Sequence, residues 1–312
     1  MTRALVTGAG GFVGRHLVEA LRADGCEVLA AGGPTDGDVA LRIDLADEAS
    51  LRDALERARP DVVFHLAAQS FVPESLRDPQ ETYAANVLGT ARLFAQVRAY
   101  AERAGATPRL FFTSSAEVYG AREPSELPLR ESFAPQPRNP YAASKAAAEA
   151  ILLGEMRAFG GDVVIARAFN HIGPGQDPRF AVASFALGLA KIAAGGEPVL
   201  NVGDLGAERD MLDVRDVVRA YLALAQRGRS GEIYNVCSGR AIAMRELLRE
   251  LIGIARVPVE VRTDPARMRP SEIAISFGSN EKLVEATGWS PRINLVQSLR
   301  DIYEDARNRA RL

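Results

Sequence analysis

Short apolar runs alternate with longer amphipathic stretches through the first half of this 312-residue chain. The runs are nearly continuous in apolar residues, which is typical of strands buried on both faces of a parallel sheet. They predict strands at residues 3–7, 27–31, 42–45, 61–68, 109–113 and 162–167. Helical periodicity between the runs predicts helices at residues 12–23, 46–58, 79–104 and 142–156. The alternation predicts an α/β fold in which helices cover both faces of a doubly wound parallel sheet.

The pattern changes after residue 169. Residues 170–178 are rich in turn-forming residues, and shorter mixed elements follow them. Helices are predicted near residues 180–194, 214–226, 243–254 and 295–309, with short strands between them. We therefore predict a sheet-forming domain at residues 1–169 and a smaller mixed α/β domain at residues 170–312, with the chain crossing back between the two. The smaller domain would cover the strand ends and leave a ligand cleft at the boundary.

Composition limits the class of protein. Apolar residues make up 47% of the chain and charged residues 25%, as in soluble globular proteins. A net charge of −2 argues against nucleic-acid and membrane-surface partners, and no apolar run approaches the ~20 residues of a membrane span. Cys26 and Cys237 have no spacing that indicates a metal site or a disulfide framework. The first strand begins by Ala4, which leaves no room for a signal peptide, so a cytoplasmic location is expected.

Three glycines connect the first strand to the first helix. Gly8 would permit a tight turn, Gly11 would let the backbone approach a pyrophosphate, and Gly14 would let helix and strand pack closely. The helix N-terminus would add free N–H groups and a positive dipole end. The context of strand, glycine turn and helix predicts a Rossmann-like dinucleotide-binding domain. The alternative is a turn that is merely tight.

The cofactor's identity stays open between NADP and NAD. An acid at the end of the second strand would favour NAD and a nearby Arg would favour NADP, but the chain has Gly32 and Gly33 there. Asp44 is placed either to reach an adenine edge or to cap the following helix, and the small residues Ala67 and Ala68 would let a cofactor lie close. The predicted cofactor-binding residues are Gly8, Gly11, Phe12, Val13, Gly14, Asp44, Leu45, Leu66, Ala67, Ala68, Tyr141 and Lys145.

Tyr141 and Lys145 are candidate catalytic residues. Asn139 and Pro140 are suited to start a helix, and on that helix Tyr141 and Lys145 lie four residues apart on one face. Of 38 basic residues only three are lysines, and Arg cannot replace Lys in proton chemistry. A nearby ammonium is expected to lower the pKa of a phenol. The alternative is a surface Tyr and Lys on an ordinary helix.

Other polar residues lie close to predicted strand ends. Ser114 and Ser115 follow a buried strand, where open α/β sheets bind ligands, although simple turn chemistry would also place them there. We interpret His65 as a core histidine with satisfied hydrogen bonds. Arg209 and Arg269 suit phosphate groups, with surface salt bridges as the alternative.

These motifs, taken in order, resemble the extended short-chain dehydrogenase/reductase family. The resemblance rests on Gly8-x-x-Gly11-x-x-Gly14, Ser115 and Tyr141-x-x-x-Lys145. Residues 65–70, 86–90 and 114–120 look like the nucleotide-sugar enzymes of that family. More narrowly, residues 169–176, 209–216, 235–239 and 269–272 look like the GDP-4-keto-6-deoxy-D-mannose reductases.

The resemblance implies reduction of the C4 ketone of GDP-4-keto-6-deoxy-D-mannose to GDP-D-rhamnose by NADPH or NADH. Tyr141 would donate the proton, Lys145 would lower the pKa of Tyr141 and hold the nicotinamide ribose, and Ser115 would hydrogen-bond the sugar oxygen. Glu117 matches an acid that helps to remove the C5 proton in the related dehydratases, and reductases of this kind can carry it too. The implied substrate-binding residues are Gln69, Ser114, Ser115, Asn170, Arg209, Arg269 and Glu272.

Two other functions compete with the reductase. A nucleotide-sugar 4,6-dehydratase or 4-epimerase would recycle a tightly held NAD, and a non-catalytic dinucleotide sensor would not need Ser115, Tyr141 and Lys145 together. The absent anchor at residues 32–33 and the turn-rich loop at residues 170–176 favour the reductase. The resemblance also implies a homodimer, in which helices at about 80–104 and 141–158 of the two copies form a four-helix bundle. No metal site is expected.

Overall fold

The apolar runs form a seven-stranded parallel sheet in the computed structural model, which describes residues 2–33, 39–267 and 273–310. The strands are β1 (Arg3–Thr7), β2 (Glu27–Gly32), β3 (Leu41–Arg42), β4 (Val62–His65), β5 (Arg109–Ser115), β6 (Asp162–Ala168), β7 (Asn170–Ile172), β8 (Val199–Val202), β9 (Glu208–Asp213), β10 (Ile233–Val236), β11 (Ala241–Ala243), β12 (Glu260–Thr263) and β13 (Ile275–Ser276). The large sheet has the order β10-β6-β5-β4-β1-β2-β3, with every neighbouring pair parallel. This confirms the predicted doubly wound, Rossmann-like α/β fold.

Helices cover both faces of the sheet. They are α1 (Phe12–Ala23), α2 (Glu48–Ala58), α3 (Val72–Arg77), α4 (Pro79–Tyr83), α5 (Gly89–Ala104), α6 (Pro140–Phe159), α7 (Ala181–Ala193), α8 (Val214–Arg227), α9 (Met244–Ala255), α10 (Glu281–Thr287) and α11 (Leu295–Ala310). Val6 of β1 faces a core shared with α1 and α8, whereas Leu5 faces a core shared with α2, α5 and α6. Phe111 and Phe112 of β5 divide in the same way. Successive side chains of a strand point to opposite faces, so continuous apolar runs fill both cores.

Residues beyond 169 build smaller sheets and then return to the large one. In this region β9 pairs with β7, β11 and β13, and β8 pairs with β12. Helices α7, α9 and α11 enclose a separate core that includes Phe185, Leu247 and Ile302. Strand β10 pairs in parallel with β6 and completes one edge of the large sheet. The polypeptide therefore passes from the sheet to the smaller elements and back again.

Three predicted elements differ from those observed. The single helix predicted at residues 79–104 is interrupted by a π-helical turn at Ala84–Leu88, which lies between α4 and α5. Strand β3 ends at Arg42 because the chain turns at Asp44, whose carboxylate accepts a hydrogen bond from the Ala46 amide at 2.8 Å. Strand β4 ends at His65, so Leu66, Ala67 and Ala68 lie in the loop that follows it. The turns after β3 and β4 lie at the C-terminal ends of these strands, where the candidate site is found.

Among the described residues, no helix is long and apolar enough to cross a membrane. In the same part of the chain, no group of three or more His, Cys, Asp or Glu side chains is arranged to hold a metal ion.

Candidate active site

The turn between β1 and α1 has no space for side chains at Gly8 and Gly14. Gly8 has a φ of +72°, and a Cβ atom there would lie 2.7 Å from the backbone nitrogen of Ala67. A Cβ atom at Gly14 would lie 2.1 Å from the Gly8 carbonyl oxygen. Gly11 is the N-cap of α1 and offers no capping side chain, so the first N–H groups of this helix are open to an anion. The turn therefore fits the pyrophosphate of a dinucleotide.

The other predicted cofactor residues occupy varied surroundings. The Phe12 ring stacks on His171 with centroids 6.0 Å apart, and Val13 packs against the core beneath the turn. The Leu45 side chain lies against Gly89, since a Cβ atom at Gly89 would come within 2.9 Å of it. Asp44 is exposed and closes its own turn, whereas helix α2 is capped by Asp47. Of the two alternatives for Asp44, capping of α2 is therefore wrong, and contact with an adenine stays a prediction.

His65 is a buried structural residue, as predicted. Thr90 Oγ1 donates to the Asn86 carbonyl oxygen at 2.7 Å, so the Thr90 oxygen accepts from His65 Nε2–H at 3.0 Å. His65 Nδ1 then accepts from Thr7 Oγ1 at 2.7 Å, and Thr7 accepts from the Ala67 amide at 3.3 Å. Burial, assisted by the charge of Lys145, lowers the pKa of His65 to about 3. The neutral ring thus connects the end of β1 to α5, and Thr7 holds the loop after β4.

Helix α6 begins where the candidate catalytic residues meet. Asn139 caps the helix, because its Oδ1 accepts from the Ala142 amide at 2.8 Å. Its Nδ2 also donates to Glu117 Oε2 at 3.2 Å. Tyr141 lies in the first turn of α6, near Ser115 at the end of β5, whose hydroxyl affects the Tyr141 pKa. One capping residue therefore connects the Tyr141 helix to the turn that carries Ser115 and Glu117.

The pKa of Tyr141 is not lowered, contrary to the sequence-based expectation. Burial raises it to about 12; the Ser115 hydroxyl acts in the opposite direction, and the charge of Glu117 adds to the increase. The Lys145 ammonium instead donates to the Thr113 carbonyl oxygen at 2.7 Å and lies 4.8 Å from the Phe112 ring centroid. A neutral phenol at neutral pH is the form that a proton donor requires.

Lys145 is only 3% exposed. Burial lowers its pKa to about 8, and the charge of Glu149 acts in the opposite direction. Because Glu149 is one turn after Lys145 on α6, the two side chains share a helix face. Lys145 and Glu149 therefore place two opposite charges on α6, in the turns that follow Tyr141.

Asn86, in the π-helical turn, connects the loop after β4 to helix α6. Its amide oxygen accepts from the Gln69 amide at 2.8 Å, and its Nδ2 donates to the Gln69 carbonyl oxygen and to Ser144 Oγ, both at 2.9 Å. Ser144 Oγ in turn donates to the Tyr141 carbonyl oxygen at 2.7 Å. A π-helical turn widens a helix locally, and here it contains the residue that fixes its neighbours.

Two implied substrate residues already have internal partners. The Gln69 side chain donates to Thr82 Oγ1 at 3.1 Å and accepts from the Phe71 amide. Ser114 Oγ donates to Glu149 Oε1. An amide has a second N–H and a donating hydroxyl can still accept, so either side chain can contact a substrate and keep these bonds.

Asn170 and Arg209 lie beyond the strand ends of the large sheet. Asn170 follows β6 and lies opposite Met211 in the β7–β9 pairing, and Arg209 is two residues before Met211, so the Asn170 and Arg209 side chains share one face. Burial lowers the pKa of Arg209, and the negative charge of Glu117 acts in the opposite direction. The structure thus brings these two residues toward the Ser115–Glu117 turn. Arg269 and Glu272 lie outside the described residues.

Several residues of the site escaped the sequence analysis. The sequence predicts Asn139 only as a helix cap and Asn86 only as part of a motif. Glu149 and Arg167 form an ion pair beneath Lys145 that was not predicted. The spacing of Glu149 from Lys145 was the available signal, because an acid four residues after a functional Lys lies on the same helix face.

Comparison with known proteins agrees with this geometry. The sequence model described as GDP-mannose 4,6 dehydratase matches residues 5–302. The GDP-6-deoxy-D-mannose reductase of Pseudomonas aeruginosa is 43% identical over 310 residues, which cover 99% of this chain and 98% of the relative. A solved structure of RMD from P. aeruginosa complexed with NADPH has a TM-score of 0.89 at 42% identity, covering 99% of this chain and 100% of that chain.

A more distant solved structure has the same fold. The UDP-glucose 4-epimerase of Thermus thermophilus, in complex with NAD, has a TM-score of 0.86 at 33% identity and covers 98% of this chain and 99% of that chain. The glycine turn, the paired Tyr141 and Lys145, and the match over almost the whole length identify this chain as a member of the GDP-mannose 4,6-dehydratase family of extended short-chain dehydrogenases/reductases.

Proposed function

We propose that this protein reduces the C4 ketone of GDP-4-keto-6-deoxy-D-mannose to GDP-D-rhamnose, with NADPH or NADH as hydride donor. The observation that carries the proposal is the assembly of Ser115, Tyr141 and Lys145 at the C-terminal ends of the strands, close to an open dinucleotide turn. The 43% identity to a GDP-6-deoxy-D-mannose reductase over almost both full lengths supports this particular substrate.

The chemistry assigns one task to each side chain. The bound nicotinamide supplies a hydride to the ketone carbon, and negative charge develops on the ketone oxygen. Tyr141 donates its phenolic proton to that oxygen, and Ser115, which lies near Tyr141, stabilises the developing charge. Lys145 adds positive charge behind Tyr141 and holds the nicotinamide ribose. Glu117, held by Asn139, orients the sugar beside Arg209.

The cofactor-binding residues fit either dinucleotide. We propose that the open N-terminus of α1 binds the pyrophosphate, with Leu66, Ala67 and Ala68 beside the cofactor and Asp44 and Leu45 at the adenine. Gly32 and Gly33 offer no side chain to the adenine ribose. This suits a cofactor that is released after each turnover. We infer a cytoplasmic location because reduced dinucleotides and sugar nucleotides are supplied there.

We propose that the substrate lies between two structural domains divided near residue 169, with β10 returning to the first. The Arg209 guanidinium would bind the GDP diphosphate, and Asn170 on the same face would contact the adjoining sugar. Arg269 and Glu272 remain predicted members of this site. The second candidate function is a 4,6-dehydratase, which is favoured by the family description of the matching sequence model.

We also propose a homodimer through α5 and α6. Leu88, which directly precedes α5, is 51% exposed, and Phe159 at the end of α6 is 67% exposed. Between them α6 presents Ala150 and Gly154, small residues that let helices approach closely. These two helices from each copy would form a four-helix bundle that covers the exposed apolar side chains.

Incubation with GDP-4-keto-6-deoxy-D-mannose should oxidise NADPH or NADH one for one with GDP-rhamnose, because a reductase consumes its cofactor. The purified protein should contain little bound nucleotide. Absorbance at the nicotinamide band and chromatography of the sugar nucleotide measure both. GDP-mannose is the matched control and should stay unchanged. Formation of a 4-keto sugar from GDP-mannose without added cofactor, together with tightly bound NADP, would support the dehydratase instead.

The Tyr141→Phe change should lower kcat by about 10²–10⁴, because it removes a positioned proton donor. Binding of NADPH, followed by fluorescence, should change little. The neighbouring Tyr83→Phe change is the control, since Tyr83 ends α4 and has no part in the proposed chemistry. Wild-type turnover in Tyr141→Phe would remove Tyr141 from the mechanism.

The Arg209→Ala change should raise KM for the sugar nucleotide, because a charge-assisted contact to the diphosphate is lost. A cost of about 1.5–3 kcal/mol corresponds to roughly 10–100-fold. The Kd for NADPH should not change, and the exposed Arg240→Ala in the same region provides a control. Weaker NADPH binding with an unchanged KM for the sugar would assign Arg209 to the cofactor.

Light scattering should give about twice the monomer mass of 33.5 kDa at micromolar concentration. The Leu88→Arg change should shift the protein toward monomer by placing charge in the bundle. Val296→Arg, a change of the same kind on α11, should leave the mass unchanged. A wild-type protein that is monomeric at this concentration would contradict the dimer.

A further inference from the structure

A buried ion pair lies beneath the candidate catalytic residues and is not used by the chemistry above. Arg167 Nε donates to Glu149 Oε1 at 3.0 Å, and Nη2 donates to Oε2 at 2.7 Å. The two side chains are 3% and 4% exposed. Removing two charges from water is costly, and replacing such pairs with apolar residues is often neutral or stabilising. This makes the pair weak evidence for stability and raises the question of what else it does.

The pair joins three elements of the site. Glu149 belongs to α6, and Arg167 belongs to β6, where it lies opposite Ser114 of β5 in the strand register. Ser114 Oγ donates to Glu149 Oε1. Because Ser115 directly follows Ser114, the Glu149 carboxylate connects the strand that carries Ser115 to the helix that carries Tyr141 and Lys145. The Arg167 guanidinium also lies 4.7 Å from the Tyr119 ring centroid, which fixes its position.

The pair also places charge next to Lys145. Among the described groups that face Lys145, His65 from β4 is neutral, Tyr141 from α6 is a neutral phenol, and β5 contributes the Thr113 carbonyl oxygen. Glu149 is the acid whose charge acts on Lys145, and it opposes the effect of burial on the Lys145 pKa. Burial lowers the pKa of Arg167, but the hydrogen bonds to Glu149 outweigh this effect and raise the pKa above its usual value. Arg167 therefore stays cationic.

We propose that Glu149 and Arg167 form a positioning pair, which holds α6 against β5 and β6 and keeps a carboxylate one helical turn from Lys145. Arg167 holds the Glu149 carboxylate in place, and Glu149 in turn acts on Lys145 and Ser114. Neither residue touches the substrate. The inference rests on the proposed catalytic roles of Tyr141 and Lys145.

The test is the pH dependence of kcat between pH 5.5 and 9.5. Wild-type kcat should fall as pH rises through the Lys145 pKa, because the cation is lost. Glu149→Gln keeps the shape and removes the charge, so this alkaline fall should move to lower pH by about one unit. The kcat of Glu149→Gln should be close to that of the wild type at low pH and about tenfold lower above the transition. Glu149→Asp, which retains the charge, should keep the wild-type transition at a reduced kcat.

A second ion pair, at the N-terminal ends of β5 and β6, provides a matched control. Arg109 of β5 donates to Asp162 of β6 at 2.8 Å, and the two residues lie opposite each other. Asp162→Asn should lower Tm and leave the pH profile unchanged. If Glu149→Gln alone does not fold, the neutral pair Glu149→Gln with Arg167→Gln avoids an unpaired buried cation, and its pH transition should still be displaced.

A uniform loss of kcat across the pH range in Glu149→Gln, or a double variant whose profile matches wild type, would overturn the proposal and leave a purely structural pair. The Tyr141→Phe variant separates this result from failure of the proposed function. If Tyr141→Phe is inactive and the Glu149 variants show no displaced transition, only the positioning role fails. If Tyr141→Phe is fully active, the catalytic assignment itself fails.

Discussion

Burial of a charged ammonium is the constraint around which this site is built. Lys145 is 3% exposed, and its single described hydrogen bond goes to the backbone of β5. A charge in such surroundings survives only with compensating partners nearby. The Glu149–Arg167 pair, the neutral His65 and the Phe112 ring lie around it. The need to balance this charge accounts for the polar groups that are buried around Lys145.

The start of α6 shows how local helix chemistry becomes site geometry. The Asn139 side chain satisfies a backbone N–H of the first turn and holds Glu117 with its other end. Rotation of the Asn139 side-chain amide would break both contacts at once, so the first turn of α6 would lose its cap and Glu117 would lose its partner. Tyr141 lies between these two contacts, so the orientation of the phenol follows from the way in which the helix begins.

Sequence alone predicted the features that depend on local spacing. The three glycines, the Tyr141–Lys145 pairing and most strands follow from periodicities that a chain displays directly. The features that were missed depend on distant residues. The π-helical turn exists around Asn86, whose partners Gln69 and Ser144 belong to other elements. The pKa of Tyr141 was expected to fall, but burial raises it and the charge of Glu117 adds to the increase, and the extent of burial is a property of the tertiary fold.

The return of β10 to the large sheet has a consequence for how this protein changes over evolutionary time. Strand β10, which pairs with β6, follows β7, β8 and β9 in the sequence. The elements beyond residue 169 are therefore not a separate unit that can be removed. A chain cut there would leave one edge of β6 without its partner and would remove α8 from a core. Exchange of the C-terminal segment by recombination would therefore disturb the nucleotide-binding half as well. Point substitutions and loop changes on a fixed topology are the route by which this architecture can change its specificity to other sugars.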